Sequence, residues 1–243
     1  MKYFHKVTLI FLFTGTVASL ADTIVPDRPG FSTGTYTVQP KNLNIELGYN
    51  YTKNNETLPL VVLRTGLSNK LELDIMYDGF NINHNDQKQL TWSADFIVGI
   101  KYRLYESELY NLTFMGLTSL PVGDNRNISS KNITPLIGLL WDYTLYEDIS
   151  LFGTLQGSTY YDNERIYDFQ PAIGVSLAHT DKFGTYLEYY SIIHSSNNQD
   201  TQQVIGGGFT YLLSDDIQLD INTGLGLNSI SDNSIGFGIA MQF

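Results

Sequence analysis

The last nine residues of the chain, Ile235–Phe243, alternate strictly between two kinds of side chain. The large apolar face consists of Ile235, Phe237, Ile239, Met241 and Phe243, and the small or uncharged face consists of Gly236, Gly238, Ala240 and Gln242. A strand of a soluble sandwich also alternates, but it places charged residues on the face that meets water. In an outer-membrane barrel the large residues face lipid and the small or polar ones face the lumen. The stretch fits the closing strand of a barrel, but by itself it does not outweigh an ordinary edge strand, and its value is that the rest of the chain repeats the pattern.

The first 21 residues have the layout of a secretory signal peptide. A basic region, Met1–Lys6, precedes the apolar run Val7–Val17, and small residues at Ser19 and Ala21 favour cleavage after Ala21. A single transmembrane anchor is the alternative, but the run is shorter than the roughly 20 residues that cross a bilayer as a helix. No other segment reaches about 18 apolar residues. A membrane-spanning chain of this kind must therefore form a closed barrel, in which every backbone group is paired.

The same alternation recurs along the chain from residue 42 to the end. Between residues 71 and 76, for example, Leu, Leu and Ile alternate with Glu, Asp and Met. The pattern predicts an all-β fold, a transmembrane antiparallel β-barrel of about 12 strands spanning 42–243, since bacterial barrels have even strand numbers. The predicted strands lie at 43–51, 58–67, 71–77, 92–103, 112–120, 135–145, 149–160, 167–178, 183–193, 202–213, 219–227 and 235–243.

The links between these strands differ in length on the two sides of the barrel. Short links are expected at 68–70, 105–108, 146–148, 180–182 and 214–216. The intervening links are longer and rich in Asn, Asp and Ser, notably Gly79–Leu90, Pro121–Asn132 and His194–Thr201. Short periplasmic turns and longer extracellular loops are typical of outer-membrane barrels, and a soluble sandwich has no reason to follow this rule.

The segment between the signal peptide and the first strand, residues 22–41, is predicted to have no regular structure. Two prolines and a glycine fall within Pro26–Gly30, which rules out a strand there. We expect this segment at the periplasmic mouth or inside the lumen. Asp27, Arg28 and Phe31 are interpreted as a latch against the barrel wall, which is a structural role rather than a binding site.

The polar face of the predicted strands collects charged residues in the lumen. The candidates for a constriction are Glu46, Arg64, Asp74, Asp95, Lys101, Arg103, Asp142, Glu188 and Asp220, and Glu72 lies on the same face. Charges in a narrow lumen must be paired or hydrated, so they indicate either a hydrated path or a paired network that plugs the barrel. Small inward residues such as Gly224, Gly226, Gly236 and Gly238 favour a path. Arg64 and Arg103 are the expected centre of the constriction or plug.

Several classes of chemistry are disfavoured by the composition. The chain has no cysteine and a net charge of −11, which argues against thiolate chemistry and nucleic-acid binding. His84 and His194, in polar extracellular loops, could assemble a catalytic group of an outer-membrane hydrolase, but no Gly-x-Ser-x-Gly elbow accompanies them. His179 is interpreted as a turn residue. We predict no catalytic residue, no metal site and no cofactor, and we keep a hydrolase active at the barrel rim as the alternative function.

Five stretches together resemble a known family over nearly the whole chain after the signal peptide. They are Asp27–Phe31, Leu43–Tyr51, Gly66–Leu73, Gly99–Tyr102 and Gln218–Asn228, and they are similar to the transporter family described for the meta-pathway of phenol degradation. The resemblance implies an outer-membrane, channel-like protein of Gram-negative bacteria. These stretches reflect barrel architecture, and none of their residues identifies an aromatic substrate.

The predicted function is passive passage of small molecules, aromatic or hydrophobic ones among them, through an outer-membrane channel. A structural or adhesive barrel is a further alternative. The expected partners are outer-membrane lipids, a small-molecule solute and the barrel-assembly machinery, whose recognition signal the terminal Phe243 resembles. No nucleic-acid partner is expected.

Overall fold

The computed structural model of the protein describes residues 23–77, 79–84, 89–92, 95–122, 132–162, 164–196 and 199–243. The predicted signal peptide lies outside these residues, as do parts of the three predicted long loops. The strands are β1 (Leu43–Thr52), β2 (Asn55–Ser68), β3 (Leu71–Tyr77), β4 (Phe80–Asn83), β5 (Gln89–Trp92), β6 (Phe96–Glu106), β7 (Tyr110–Leu120), β8 (Thr134–Tyr146), β9 (Ile149–Asp162), β10 (Glu164–Ala178), β11 (Phe183–His194), β12 (Gln202–Ser214), β13 (Ile217–Gly226) and β14 (Ser234–Gln242).

Twelve of these strands form one closed antiparallel barrel, as the sequence predicts. Each pairs with its neighbour in the chain, except that β3 pairs with β6, and β1 pairs with both β2 and β14. The closing seam runs in register from Asn44 opposite Gln242 to Thr52 opposite Ser234. Just beyond it, Leu43 and Phe243 exchange two backbone hydrogen bonds of 2.9 and 3.0 Å.

The strands β4 and β5 form a hairpin outside the twelve-strand wall, where the sequence predicts one long loop and the start of the next strand. Trp92 ends β5, and β6 begins at Phe96, so the predicted strand at 92–103 starts four residues too early. The chain turns at Gly79, whose φ of +65° lies in the left-handed region. The next strand, β4, then pairs with the end of β2 that lies at the loop side of the barrel, and β5 pairs with β4.

Two hairpins break the predicted alternation of link length. At the end of the barrel that carries the long loops, only residues 53–54 join β1 to β2, and only residue 163 joins β9 to β10. The strands β2 and β10 each begin three residues before their predicted starts for this reason. The opposite end, which carries the C-terminus, the start of the described chain and all five predicted short turns, is the periplasmic end in barrels of this type.

The outer and inner faces of the wall have opposite chemistry. On β14, Ile235 and Phe237 are exposed by 38% and 46%, whereas the inward Ala240 is 1% exposed. The largest fully buried side chains are charged, with Arg64 and Lys101 both at 0% exposure. An apolar exterior around a polar interior is what a bilayer requires of a closed barrel. The wall is therefore transmembrane, and its inward side chains line a lumen. No helix among the described residues is long and apolar enough to cross a membrane.

Candidate functional site

The N-terminal segment lies inside the barrel, and we call residues 23–41 the plug. Its beginning is fixed at the periplasmic end, where the backbone N–H of Ile24 donates to the carbonyl of Asp215 at 2.8 Å. Its end forms a parallel bridge between Pro40 and Gly66 on β2. A side chain on Gly66 would collide with the plug, because a Cβ there would lie 2.2 Å from the carbonyl oxygen of Val38. Between these two points the plug contacts wall residues on β1, β2, β3, β6, β7, β8, β11, β13 and β14.

A buried ion cluster joins the plug to four adjacent strands, β1, β2, β3 and β6. The guanidinium of Arg64 lies 3.0 Å from Glu46, 2.9 Å from Glu72 and 3.2 Å from Asp27 of the plug. The ammonium of Lys101 lies 2.8 Å from Asp27 and 3.3 Å from Glu72. Breaking a buried pair by removing one partner costs about 3–5 kcal/mol, because the remaining charge is left uncompensated. These contacts therefore hold the plug firmly in place.

Carboxylates outnumber cations in this cluster. Asp74, opposite Arg64 across the β2–β3 ladder, is fully buried and adds a fourth carboxyl group to two cations. Within the described part of the chain Asp74 has no ion pair, and its carboxyl group interacts with that of Glu72. Burial also raises the pKa of Asp27 to about 6, although Arg64 and Lys101 oppose the shift. Asp27 thus retains a proton at pH values at which the carboxyl group of a hydrated aspartate has released it.

Two wall carboxylates of the cluster also accept backbone hydrogen bonds from the plug. Glu46 accepts the N–H groups of Asp27 and Arg28, both at 3.0 Å. Glu72 accepts the N–H of Val38. A plug without regular secondary structure leaves its backbone donors unpaired, and a buried donor must find a partner. The inward glutamates supply those partners, so they serve as plug anchors as well as charges.

Glu188 on β11 anchors the middle of the plug in the same way. One carboxylate oxygen accepts the N–H of Phe31 at 2.6 Å, and the other accepts the N–H of Ser32 at 3.0 Å. The ring of Phe31 stacks on Tyr190, two residues along the same strand face, with 4.0 Å between centroids and 5° between planes. Space for this contact comes from Gly30, where a Cβ would lie 2.9 Å from Glu188.

Arg28 occupies the space that inward glycines leave on β1 and β14. Its guanidinium pairs with Asp220 on β13 at 3.3 Å. A Cβ on Gly48 would lie 2.3 Å from Nη1 of Arg28, and one on Gly238 would lie 2.5 Å from its Nε. At these two positions the small inward residues make room for the plug, so they are not evidence for an open path.

The far side of the plug is held by hydroxyl and amide contacts on β7 and β8. Thr113 donates its hydroxyl to the carbonyl of Thr35 at 2.7 Å. The hydroxyl of Thr35 in turn donates to Asp142, which also accepts the amide N–H of Asn111 at 2.8 Å. The hydroxyl and the carbonyl group of Thr35 therefore each meet a partner on the wall.

Arg103 plays a different role from the one that the sequence predicts. Its guanidinium lies 5.4 Å from the ring centroid of Tyr36, and it pairs with Glu106 near the periplasmic turn. It does not face the acidic luminal cluster. The carbonyl of Tyr36 instead accepts from Lys101 at 2.9 Å and from Arg64 at 3.2 Å. Of the two predicted central arginines, only Arg64 occupies the centre of the cluster.

Seven of the nine predicted luminal residues contact the plug. The exceptions are Asp74, described above, and Asp95, which precedes β6 at the loop end and accepts a 3.3 Å hydrogen bond from Ser119. The three predicted latch residues all contact the wall. The sequence did not reveal the contacts of Tyr36 in the plug or of Thr113 and Tyr190 on the wall. The sequence pattern of an inward Tyr or Thr does not distinguish a residue that contacts the plug from one that only lines the lumen.

The histidines of the alternative hydrolase site lie apart. Nε2 of His84 contacts Glu56 at 2.9 Å beside β2, and Nδ1 of His194 contacts Asp168 at 2.7 Å on the β10–β11 face. Strands β1, β14, β13 and β12 separate the two pairs. His179 contacts Thr185 at 2.8 Å in a periplasmic turn. A search of the described residues finds no group of three His, Asp or Glu side chains suited to a metal ion.

Comparison with known proteins agrees with this architecture. The family model described as "Putative MetA-pathway of phenol degradation" matches residues 26–243. The chain belongs to this family. No curated protein matches the sequence. Because the match covers the plug from Pro26 onward as well as the barrel, both are parts of the family pattern in this chain.

Solved structures similar to this member of the phenol-degradation family are outer-membrane barrels. An outer-membrane channel from Pseudomonas putida F1 has a TM-score of 0.70 at 11% identity, covering 89% of this chain and 99% of that one. The NanC porin has a TM-score of 0.61 at 12% identity, covering 82% and 98%. The KdgM porin has a TM-score of 0.60 at 9% identity, covering 82% and 99%. At these identities the likeness establishes the fold. Together with the apolar exterior, it places the barrel in the outer membrane.

Proposed function

We propose that this protein is an outer-membrane channel for small molecules, closed at its periplasmic half by the N-terminal plug. The observation that carries the proposal is a separate, non-covalently held segment inside a closed barrel. A barrel with a purely structural or adhesive role needs no such segment. In the absence of cysteine, every plug–wall contact is an ion pair, a hydrogen bond or a packing contact, so the plug can be displaced without breaking a covalent bond.

The luminal charges support a paired network more than a permanently hydrated path. Glu46, Arg64, Glu72 and Lys101 are all 0% exposed, so water does not reach them while the plug is seated. Nearer the loop end, inward residues such as Met76 and Leu136 keep accessible surface. This contrast favours a channel that is open toward the extracellular side and closed below. Passage across the membrane then requires the plug to move.

The hydrolase alternative receives less support. A base must lie within hydrogen-bond reach of its nucleophile or water, and a second group must orient it. His84 and His194 each have a carboxylate partner, but they lie on different sides of the barrel and do not form one site. The similar solved structures are porins and a channel. Binding of Phe243 to the assembly machinery remains a separate proposal, supported by its 69% exposure at the end of the closing seam.

A reversible crosslink between plug and wall tests the channel proposal directly. The hydroxyl of Thr35 donates to the carboxylate of Asp142, so a Thr35→Cys, Asp142→Cys pair in this cysteine-free chain places thiols on two side chains that are in contact. We expect discrete conductance steps in planar bilayers for the reduced variant, suppression on oxidation and recovery on reduction. The single Asp142→Cys variant controls for the lost hydrogen bonds. A conductance that is the same before and after oxidation would show that the plug is not the gate. Silence of the folded wild-type and of a plug-loosened Lys101→Met barrel would overturn the channel itself.

A further inference from the structure

The lumen on the loop side of the plug has one apolar side. Inward residues of five adjacent strands form it, and their side chains are half-buried: Val62, Met76, Ile97, Leu117 and Leu136. Val62 lies opposite Met76, and Met76 lies opposite Ile97. One row away, Leu117 lies opposite Leu136. Since cross-strand neighbours on one face are about 5 Å apart, these side chains form a continuous surface.

The facing strands, β9, β10 and β11, present hydrogen-bonding groups at the same end of the lumen. Nδ1 of His194 lies 2.7 Å from Oδ1 of Asp168. Gln170 donates to the hydroxyl of Ser158 at 3.3 Å and accepts from Gln156 at 2.9 Å. We call these five residues the polar row. None of them contacts the plug among the described residues, so the anchoring of the plug does not explain them.

The two sides meet along one cross-strand row. Leu136 lies opposite Ser158, Ser158 lies opposite Asp168, and Asp168 lies opposite His194. A molecule of a few ångströms that enters from the loop end therefore meets hydrocarbon on one flank and donors and acceptors on the other. Within the described part of the chain, Nε2 of His194 has no hydrogen-bond partner. It faces the lumen with capacity for one more bond.

We propose that the polar row binds the hydroxyl or amide group of an uncharged amphipathic solute. The apolar body of this solute lies against the apolar side of the lumen that runs from Val62 on β2 to Leu136 on β8. This inference rests on the proposed channel function and names its solute class. A wholly apolar solute would bury the row without partners, at about 1–3 kcal/mol for each unsatisfied group. A charged solute would lose hydration without gaining an opposite charge, because Asp168 and His194 already face each other. A solute with both parts satisfies both walls.

Histidine NMR tests this proposal at the site itself. The predicted mature chain contains three histidines, His84, His179 and His194, so ¹³C-histidine labelling of the full barrel in nanodiscs gives three ring signals, assigned with a His194→Gln variant. Benzyl alcohol and toluene serve as probes that differ in one hydroxyl. We expect benzyl alcohol to shift the His194 signal saturably, at least fivefold more tightly than toluene. The signals of His84 and His179 should remain in place.

Two variants keep the test decisive. Gln170→Leu should remove the preference for benzyl alcohol while the barrel stays folded. Gln218→Leu, at an inward-facing position of β13 near the periplasmic turn, should preserve it. An equal response to both probes, or no saturable shift at His194, would overturn the proposal. Conductance measured on the same samples separates the two claims. Binding without conductance would refute the channel alone, and conductance without binding would refute the polar row alone.

Discussion

The ammonium group of Lys101 lies 2.8 Å from Oδ1 of Asp27, and this pair joins the barrel wall to the plug. The same nitrogen contacts Glu72 and donates to the carbonyls of Gly34 and Tyr36 at 3.2 and 2.9 Å. One wall side chain thus holds three positions of the plug. Removing its charge would leave Asp27 and Glu72 buried with one cation fewer.

The Lys101→Met variant should therefore loosen the plug. Loss of one partner from a buried ion pair costs about 3–5 kcal/mol, and we expect faster hydrogen exchange at the backbone amides of residues 27–36 and more frequent channel openings. Hydrogen exchange with mass spectrometry on the barrel in nanodiscs measures the first, and single-channel recording measures the second. Lys182→Met, at an exposed periplasmic turn, is the matched control and should change neither. Unchanged exchange in Lys101→Met would contradict the anchoring role.

A single methyl group on the wall should displace Arg28. In Gly48→Ala the new Cβ would lie 2.3 Å from Nη1 of Arg28, and the guanidinium must move away from Asp220. Because the obstacle is the flexible end of a side chain, we expect the barrel to fold and only the plug to shift. Faster exchange of the Arg28 amide, which Glu46 holds in the wild-type, is the readout. Gly116→Ala, whose nearest neighbour is 3.4 Å away, should behave as wild-type. Equal exchange in both variants would refute the close fit.

The sequence predicted the barrel well because lipid and lumen impose a two-residue period on every strand. In β14, Phe237 and Gly238 belong to opposite faces by chemistry alone, and the structure assigns them to those faces. The β4–β5 hairpin escaped prediction for a related reason. Trp92 and Phe96 are four positions apart, so a two-residue alternation assigns both to the same face of one strand. The alternation therefore could not reveal the break between β5 and β6.

The pairing of plug and wall could not be read from the sequence. Arg28 and Asp220 are 192 positions apart, and Phe31 and Glu188 are 157 apart. Nothing local specifies which inward carboxylate meets which plug residue. Small inward residues were a misleading signal at Gly238, because the space that they leave is taken by Arg28. The prediction that charges line the lumen therefore located most of the plug anchors without revealing their partners.

The carboxylate of Glu188 should matter for more than its charge. It accepts two backbone N–H groups, from Phe31 and Ser32, and charge-assisted bonds of this kind are roughly twice as strong as neutral ones. Glu188→Gln replaces one acceptor with a donor that faces another donor. We expect a loss of about 2 kcal/mol, near a thirtyfold increase in plug opening. Exchange rates at residues 31–32 provide the measurement. Glu164→Gln, at the exposed loop end, is the control, and similar rates in both variants would exclude Glu188 as an anchor.

Opening of the plug should depend on pH through Asp27. Burial raises its pKa to about 6 in the seated plug, whereas a hydrated aspartate has a pKa near 3.9. The seated state therefore binds the proton more tightly, and this contribution to plug stability is fully present below about pH 4 and is lost as the pH rises through about 6. The charged neighbours that set the shift are Arg64, Lys101, Glu72 and Glu46.

We expect the open probability to rise between about pH 4 and pH 6 and to level off above that range, with an upper limit of about 3 kcal/mol for two pKa units. Single-channel recording across this range measures the change. The Asp27→Asn variant cannot ionise at this position, so its open probability should vary less with pH than that of the wild-type. An Asp181→Asn variant, in an exposed periplasmic turn, should keep the wild-type profile. A wild-type profile in Asp27→Asn would assign the pH dependence to the wall carboxyl groups instead.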